Sequence, residues 1–198
     1  MSELPTLFLA RHGQTAWSVT GQHTGLTDLP LTPQGEAEAL AVGERLKGWT
    51  FDKVFASPLQ RAFRTCQLAG FGAVAEIDRD LVEWDYGEYE GLKSAQIREK
   101  NPNWNLFRDG CPGGESPVAI AARADRVIAK VRGLGGRVLL FSSGHILRVL
   151  ASRWLGANPD PMAGYLLLGT ASLSILSYEH DLQHPAISVW NDTGHVAK

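Results

Sequence analysis

Residues 7–13 read Leu-Phe-Leu-Ala-Arg-His-Gly, an apolar run that ends abruptly in two basic side chains and a glycine. A short apolar run with polar neighbours predicts a buried strand. Arg11, His12 and Gly13 stand where that strand ends. Because ligands of open α/β sheets bind beyond the carboxyl ends of the strands, this stretch predicts a strand with a ligand site at its end.

Further strands and helices alternate along the chain. Strands are predicted at 52–56, 73–77, 137–142, 172–178 and 186–190. Helices are predicted from Pro33, from Ser57 to about Ala69, at 94–99, from Pro117, and at 145–155. This alternation is typical of a mostly parallel sheet covered on both faces, and the two late strands predict an antiparallel edge. We therefore expect a three-layer α/β/α fold.

Capping residues set the predicted helix starts. Thr32 is expected to be an N-cap with Pro33 at the first helical position. Ser57 is expected to cap the next helix, with Pro58 in its first turn and Gln60 completing a capping box.

The chain length of 198 residues suits a single domain spanning residues 1–198. Within it, the segment 82–116 is rich in Trp, Tyr, Gly and Asn and has no clean periodicity. A segment of this length is predicted to be a functional excursion over the sheet.

Composition argues against several classes of protein. The formal net charge of −2 gives no field that attracts nucleic acid or an acidic membrane. No stretch approaches the ~20 apolar residues needed to cross a bilayer, and the run before Arg11 is too short for a signal peptide. Cys66 and Cys111 are interpreted as packing residues of a reducing compartment. We expect a cytoplasmic protein.

Polar side chains with catalytic potential follow the predicted strands. They are Arg11 and His12 after the first, Ser57 and Arg61 after the second, Glu83 after the third, and Ser142, Ser143, Gly144 and His145 after the fourth. Since these positions share one edge of a mostly parallel sheet, we expect them to meet in one pocket.

This set of residues suits phosphoryl transfer, which depends on positioning and on stabilising charge spread over three oxygens. The guanidinium groups of Arg11 and Arg61 can each hold two phosphate oxygens, and we expect them to do little for the fold. A neutral imidazole at His12 is a good nucleophile, and nearby guanidinium charges disfavour its protonation. A carboxyl group at Glu83 can protonate a leaving alkoxide and then deprotonate the attacking water.

The stretch from Leu9 to Thr15 resembles the signature of the histidine phosphatase superfamily, also called phosphoglycerate-mutase-like. Further motifs follow in the order and spacing of that family: Thr24-Gly25, Leu31-Thr32-Pro33-Gln34-Gly35-Glu36, Ser57-Pro58-Leu59-Gln60-Arg61-Ala62 and Glu83-Trp84-Asp85-Tyr86-Gly87. The resemblance spans nearly the whole chain. It implies a metal-independent phosphatase that needs no cofactor and acts on a small-molecule phosphate ester.

The resemblance also implies roles for individual residues. The implied catalytic residues are the nucleophile His12, the phosphate ligands Arg11 and Arg61, and the proton donor Glu83. Ser18, Thr24 and Gly25 are implied to help bind the phosphate, and Tyr86 is expected to wall the cleft beside Glu83.

Several segments resemble the branch of the superfamily that includes sugar-bisphosphatases acting on sedoheptulose bisphosphate. They are Gly21 to Asp28, Glu83 to Gly91, Trp104-Asn105, Arg108 to Cys111, and Gly114 to Ser116. The branch implies a phosphorylated sugar or sugar acid as substrate, a sugar bisphosphate included, with substrate choice made by the excursion.

The chain departs from the family at the second catalytic histidine. Ser143 stands before Gly144, where the family has that histidine, and the nearest histidine is His145. Ser143 retains a hydroxyl for the phosphate, but it has no cationic form. Two hypotheses remain: a less efficient site, or a role for His145 in place of the missing histidine.

Other functions remain as alternatives. Phosphoglycerate mutase activity is disfavoured because the chain has no Arg-Arg pair, and Ser94 and Ser18 stand near positions where mutases carry Lys and Asn. An impaired phosphate-ester-binding relative is a second alternative, and a zinc hydrolase using His12, His145 and Glu83 is a third. A homodimer is neither required nor excluded.

Overall fold

The computed structural model describes residues 4–196, and a six-stranded sheet forms its centre. The strands are β1 (Thr6–Arg11), β2 (Lys53–Ala56), β3 (Ala75–Ile77), β4 (Arg137–Ser142), β5 (Leu173–Tyr178) and β6 (Pro185–Asp192). Their order across the sheet is β3-β2-β4-β1-β5-β6. Strands β1 to β4 are parallel, whereas β5 pairs antiparallel with both β1 and β6. The predicted mostly parallel sheet with an antiparallel edge is confirmed.

Helices fill the connections between these strands. They are α1 (Ala16–Thr20), α2 (Pro33–Arg45), α3 (Gln60–Leu68), α4 (Ser94–Lys100), α5 (Leu106–Asp109), α6 (Pro117–Leu134), α7 (Gly144–Trp154) and α8 (Pro159–Tyr165). Short 3-10 turns lie at Arg79–Leu81 and Gly87–Tyr89. None of the helices within residues 4–196 has the length and apolar character required to span a membrane.

The apolar run of β1 is continuous because both of its faces are buried. Leu7 and Leu9 belong to a core that contains side chains of α6, α7 and the excursion. Phe8 and Ala10 point to the other face and join a core with side chains of α2 and α3. Successive side chains of a strand alternate between faces, so one strand serves both helical layers.

The start of α3 differs from the prediction. The helix begins at Gln60, and Ser57 Oγ only accepts a long hydrogen bond from the Leu59 amide at 3.4 Å. The Asp28 carboxylate instead accepts the Gln60 amide at 2.8 Å. Ser57 as a helix cap is therefore wrong, because an acceptor distant in sequence satisfies the first turn.

Three short helices, α1, α5 and α8, were not predicted. Each has at most seven residues, a length over which an apolar repeat is only a weak signal. The predicted helix at 94–99 and the N-cap Thr32 are confirmed, and the Thr32 hydroxyl accepts the amide of Gly35 at 3.0 Å. Ser116 caps α6 in the same way and accepts the amide of Ala119 at 3.1 Å.

The loop after β1 is packed against the start of α2, backbone to backbone. A Cβ atom on Gly13 would lie 2.2 Å from the carbonyl oxygen of Gly35, and one on Gly35 would lie 2.1 Å from the carbonyl oxygen of Gln14. The Thr32 amide donates to Gln14 O at 2.9 Å. The two glycines thus permit the approach that fixes the loop carrying His12.

Candidate active site

A pocket of about 250 Å³ lies at the carboxyl ends of β1 and β4. Of the residues singled out in the sequence, those lining it are Arg11, His12, Ser18, Thr24, Glu83, Tyr86 and His145. Arg61, Gly25 and Ser143 do not line it, but each contacts or adjoins a lining residue. Arg11, His12, Glu83 and His145 therefore converge at one edge of the sheet as predicted, whereas Ser57 and Ser142 do not line the pocket.

His12 is buried at the end of β1, with its side chain oriented by its own loop. Its Nδ1 lies 2.8 Å from the carbonyl oxygen of Gly13. A carbonyl only accepts, so Nδ1 carries the proton and Nε2 keeps its lone pair. Burial lowers the pKa of His12 well below its ordinary value of 6.5, and the charges of Arg11 and Arg61 lower it further. The imidazole is therefore neutral and able to act as a nucleophile.

Arg61 is fully buried on the first turn of α3. Its guanidinium donates to the carbonyl oxygens of Thr24, Gly25 and Thr27 at 2.8 to 3.1 Å. Arg61 thus ties the loop before α2 to helix α3. This contradicts the expectation that Arg61 does little for the fold.

The guanidinium of Arg11 is also fixed. It donates to the carbonyl oxygen of Leu168, and its Cζ lies close to Gly144, where a Cβ would be only 3.3 Å away. Burial lowers the pKa of Arg11 below its ordinary range, against the opposing effect of Glu83. Among residues 4–196 this desolvated cation has no salt-bridge partner, an arrangement that favours an anionic ligand.

Several of the predicted site residues carry unsatisfied polar atoms. Within residues 4–196, the buried side-chain atoms without a hydrogen-bond partner are Arg11 Nε, Arg61 Nε, Ser143 Oγ and His195 Nδ1. The first three belong to predicted site residues. Buried donors left unpaired are costly, so three such atoms on these residues favour a ligand with several acceptor oxygens.

Glu83 is buried against the N-terminus of α7. Its Oε1 accepts the amides of Trp84 and Ile146 at 2.8 and 2.9 Å, and its Oε2 accepts the amide of His145 at 2.9 Å. The carboxylate therefore caps α7 and faces the pocket at the same time. This places a carboxylate at a fixed position in the wall of the pocket.

The cap made by Glu83 changes the role of Ser143. Ser143 is the N-cap residue of α7, a position where a serine hydroxyl ordinarily accepts the amide of the third helical residue. Here Glu83 accepts that amide, from Ile146. The Ser143 hydroxyl is consequently buried and unpaired, and it remains available to an anion.

His145 is held by aromatic neighbours. Its Nδ1 lies 2.6 Å from the Tyr86 hydroxyl, and its ring contacts those of Phe107 and His23 at centroid distances of 5.6 and 6.0 Å. Burial lowers the pKa of His145 well below 6.5, and Arg148, His23 and Arg11 lower it further. Burial raises the pKa of Tyr86 well above 10.

The predicted phosphate-binding loop has a mainly structural arrangement. Ser18 forms a capping box with Thr15 at the start of α1, although it also lines the pocket. The Gly25 amide donates to both carboxylate oxygens of Glu90, at 2.9 and 3.0 Å. The carbonyl of Thr24 accepts from Arg61, and its side chain lines the pocket.

Other pocket residues were not assigned from the sequence. They include Trp17, Gln22, His23, Ser94, Arg148 and Leu168. Arg148 follows His145 by three positions on α7, so helical spacing would have placed both on one face. Ser94 Oγ lies 3.1 Å from His23 Nε2, a contact that no spacing rule predicts.

Within the part of the chain that the structure describes, no group of three or more His, Cys, Asp and Glu side chains is arranged to hold a metal ion. The residues around the pocket instead combine guanidinium groups, hydroxyls and imidazoles. This donor set fits a phosphate.

The sequence profile of the histidine phosphatase superfamily, branch 1, matches residues 7–193, and the chain belongs to this superfamily. An acid phosphatase of Mycobacterium tuberculosis is 40% identical over 193 residues, covering 96% of this chain and 93% of the relative. A sedoheptulose 1,7-bisphosphatase of Saccharomyces cerevisiae is 39% identical and covers 77% of this chain and 68% of its own. A 2,3-bisphosphoglycerate-dependent phosphoglycerate mutase of Mesorhizobium japonicum is also 39% identical, over 83% of this chain and 88% of its own.

Solved structures agree with this assignment. The product of a Mycobacterium tuberculosis open reading frame superposes with a TM-score of 0.90 at 38% identity, covering 96% of this chain and 99% of that one. A mycobacterial glucosyl-3-phosphoglycerate phosphatase superposes with a TM-score of 0.82 at 28% identity, covering 96% and 99%. The family resemblance and the fold class predicted from the sequence are both confirmed.

Proposed function

We propose that this protein hydrolyses phosphate monoesters of sugars or sugar acids, a sugar bisphosphate included, through a phosphohistidine on His12. The observation that carries the proposal is the state of His12: a neutral imidazole with a free Nε2, beside two buried guanidinium groups with unpaired Nε atoms. Relatives named as an acid phosphatase, a sedoheptulose bisphosphatase and a glucosyl-3-phosphoglycerate phosphatase support it.

In the first step, the Nε2 lone pair of His12 attacks phosphorus while the bond from phosphorus to the ester oxygen breaks. The carboxyl group of Glu83 gives a proton to the departing alkoxide. Arg11, Arg61 and the Ser143 hydroxyl stabilise charge on the three non-bridging oxygens. The products of this step are the sugar alcohol and phosphohistidine.

In the second step, water attacks phosphorus and Glu83 accepts its proton. The bond between phosphorus and Nε2 breaks, which restores His12 and releases inorganic phosphate. Arg148, His23, Gln22 and Ser94 line the remaining space and are the groups proposed to bind the sugar.

Phosphoglycerate mutase activity is a second candidate because a relative of that name is 39% identical. The residue at position 94 favours hydrolysis over mutase activity. By the family resemblance, mutases carry a lysine near this position, whereas this chain has Ser94. Ser94 contacts His23, whose pKa is lowered to about 4 by burial and by Arg98. Ser94 and a neutral His23 do not replace the positive charge of that lysine; among the groups proposed to bind the sugar, Arg148 is the cation.

The test is rapid-quench labelling combined with a substrate screen. Phosphate release from a panel of sugar phosphates, sugar bisphosphates and phosphoglycerates should identify a substrate, and exhaustive EDTA treatment should leave its rate unchanged. Mass spectrometry under conditions that spare acid-labile phosphate should place the label on His12, and His12→Ala should show neither label nor turnover. A label on Ser57 or Ser143 would refute the mechanism, and isomerised phosphoglycerate without phosphate release would identify a mutase.

A further inference from the structure

The environment of His145 gives Tyr86 a role that its place in the pocket wall does not suggest. Tyr86 is 1% exposed, so its hydroxyl requires a partner inside the protein. Within residues 4–196, that hydroxyl has one hydrogen-bond partner, Nδ1 of His145 at 2.6 Å. The hydroxyl is therefore committed to the imidazole rather than free for a sugar.

The direction of this hydrogen bond follows from the donors and acceptors present. If the Tyr86 O–H donates, both its proton and the Nδ1 lone pair are satisfied. If Nδ1–H donated instead, the buried hydroxyl proton would have no acceptor in the described structure, which is unfavourable. A neutral imidazole that accepts at Nδ1 carries its proton on Nε2.

The ring of His145 cannot easily turn away from this arrangement. Tyr86 packs edge-on against it at a centroid distance of 5.8 Å, and Phe107 packs on it at 5.6 Å. The Nε2 atom has no protein partner in the described residues, and His145 lines the pocket. An N–H donor thus remains for a ligand, next to Gly144 and the unpaired Ser143 hydroxyl.

We propose that Tyr86 is a positioning residue: its hydroxyl holds His145 as the neutral Nε2–H tautomer, so that Nε2–H donates to a phosphoryl oxygen. This donor would supply part of the interaction that is lost because Ser143 stands where the family has its second histidine. The inference rests on the proposed phosphatase function for its kinetic consequence, but the tautomer itself is a property of the unliganded protein.

The first measurement is therefore spectroscopic. Long-range 15N–1H correlation spectra of histidine-labelled protein, with His145 assigned by comparison with His145→Gln, should show a protonated Nε2 and a bare Nδ1 at neutral pH. Tyr86→Phe should give a mixture of both tautomers, whereas Tyr89→Phe should not change the spectrum. Tyr89 is a matched control because it lies in the same segment and its hydroxyl makes no hydrogen bond within residues 4–196. An Nδ1–H tautomer in the unmodified protein would overturn the proposal, as would an unchanged tautomer in Tyr86→Phe.

The second measurement is a double-mutant cycle on the single-turnover phosphorylation of His12 by p-nitrophenyl phosphate. Tyr86→Phe should slow this step about tenfold, the worth of one neutral hydrogen bond. In the His145→Gln background the same change should have almost no effect, because Tyr86 acts through His145. Equal losses in both backgrounds would mean that Tyr86 touches the substrate directly. If the unmodified protein forms no phosphohistidine, the proposed function fails, while the spectra still decide the tautomer.

Discussion

Oε1 of Glu83 accepts a hydrogen bond from the backbone amide of Ile146 at 2.9 Å, across a sequence separation of 63 residues. This bond joins the beginning of the excursion to the first turn of α7. It places a carboxylate at the positive end of a helix dipole, and in doing so it leaves the Ser143 hydroxyl unpaired. The Glu83 side chain therefore both holds the start of α7 and lines the pocket. A test of its role must separate the structural effect of its replacement from the chemical effect.

Replacing Glu83 with Gln should separate the structural effect from the chemical effect. Phosphorylation of His12 by a sugar phosphate should slow by about 10²–10⁴-fold, because a sugar alkoxide must be protonated as it leaves. Phosphorylation by p-nitrophenyl phosphate should slow much less, since p-nitrophenolate leaves unaided. Dephosphorylation should slow for both esters, because the water then lacks its base.

The comparison is made by single-turnover rapid quench, with Glu88→Gln as the control. Glu88 is exposed in the same segment, and its replacement should leave both steps unchanged. Equal losses of phosphorylation rate for the two esters would show that Glu83 acts by holding α7 and not as the general acid.

Replacing Arg61 with Ala should cost both activity and stability. Loss of a guanidinium from the phosphate site should lower kcat by about 10²–10³-fold, as for other preorganised donors. Loss of its bonds to Thr24, Gly25 and Thr27 should lower the free energy of unfolding by about 2 kcal/mol or more. Arg64→Ala, on the exposed side of the same helix, should change stability by less than about 0.5 kcal/mol. Urea unfolding and steady-state kinetics test both parts, and an Arg61→Ala protein with wild-type stability would contradict the structural part.

Stability should decrease in acid partly because of His23. Burial and the charge of Arg98 lower its pKa to about 4, whereas the unfolded chain has a value near 6.5. Between these two pH values the unfolded state binds a proton that the folded state does not. The lowered pKa of His23 therefore has no effect on the free energy of unfolding above pH 6.5. As the pH falls to about 4, it lowers that free energy by at most about 3 kcal/mol.

Urea unfolding from pH 7 to pH 4 measures this dependence. His23→Gln should remove the part of the pH dependence of the free energy of unfolding that His23 contributes. His12 and His145, whose pKa values are also lowered, account for the dependence that remains. His180→Gln, on the surface, should leave the slope unchanged. A His23→Gln protein with the full acid dependence would show that His23 already carries a proton when folded.

The glycine contact beneath the His12 loop gives a paired prediction. In Gly35→Ala, the new methyl group would meet the carbonyl oxygen of Gln14 at 2.1 Å, so backbone must move and the protein should lose several kcal/mol of stability along with phosphorylation of His12. Gly133→Ala has open space around its Cβ and lies in α6, where it should gain about 0.5–1 kcal/mol. Thermal unfolding of both variants tests the pair, and equal effects in the same direction would contradict it.

Local sequence was sufficient for the strands, the longer helices and most of the pocket. The apolar run of β1 predicts burial on both faces, and parallel strands bring their carboxyl ends to one edge wherever they lie in sequence. The order of residues along the chain was therefore enough to predict that His12 and Glu83 share one site. It was not enough for the start of α3, because the group that satisfies the first amide of that helix is Asp28, far away in sequence.

The sequence by itself determined the class of fold, the histidine at the end of the first strand and the absence of a histidine at position 143. Only the tertiary structure decided which groups surround Ser143 and His145. The amide of Ile146 donates to Glu83 at 2.9 Å, and the Tyr86 hydroxyl lies 2.6 Å from Nδ1 of His145. Both contacts join segments about 60 residues apart. Hydrogen bonds lose their strength over less than an ångström, so no spacing rule along the chain can assign them.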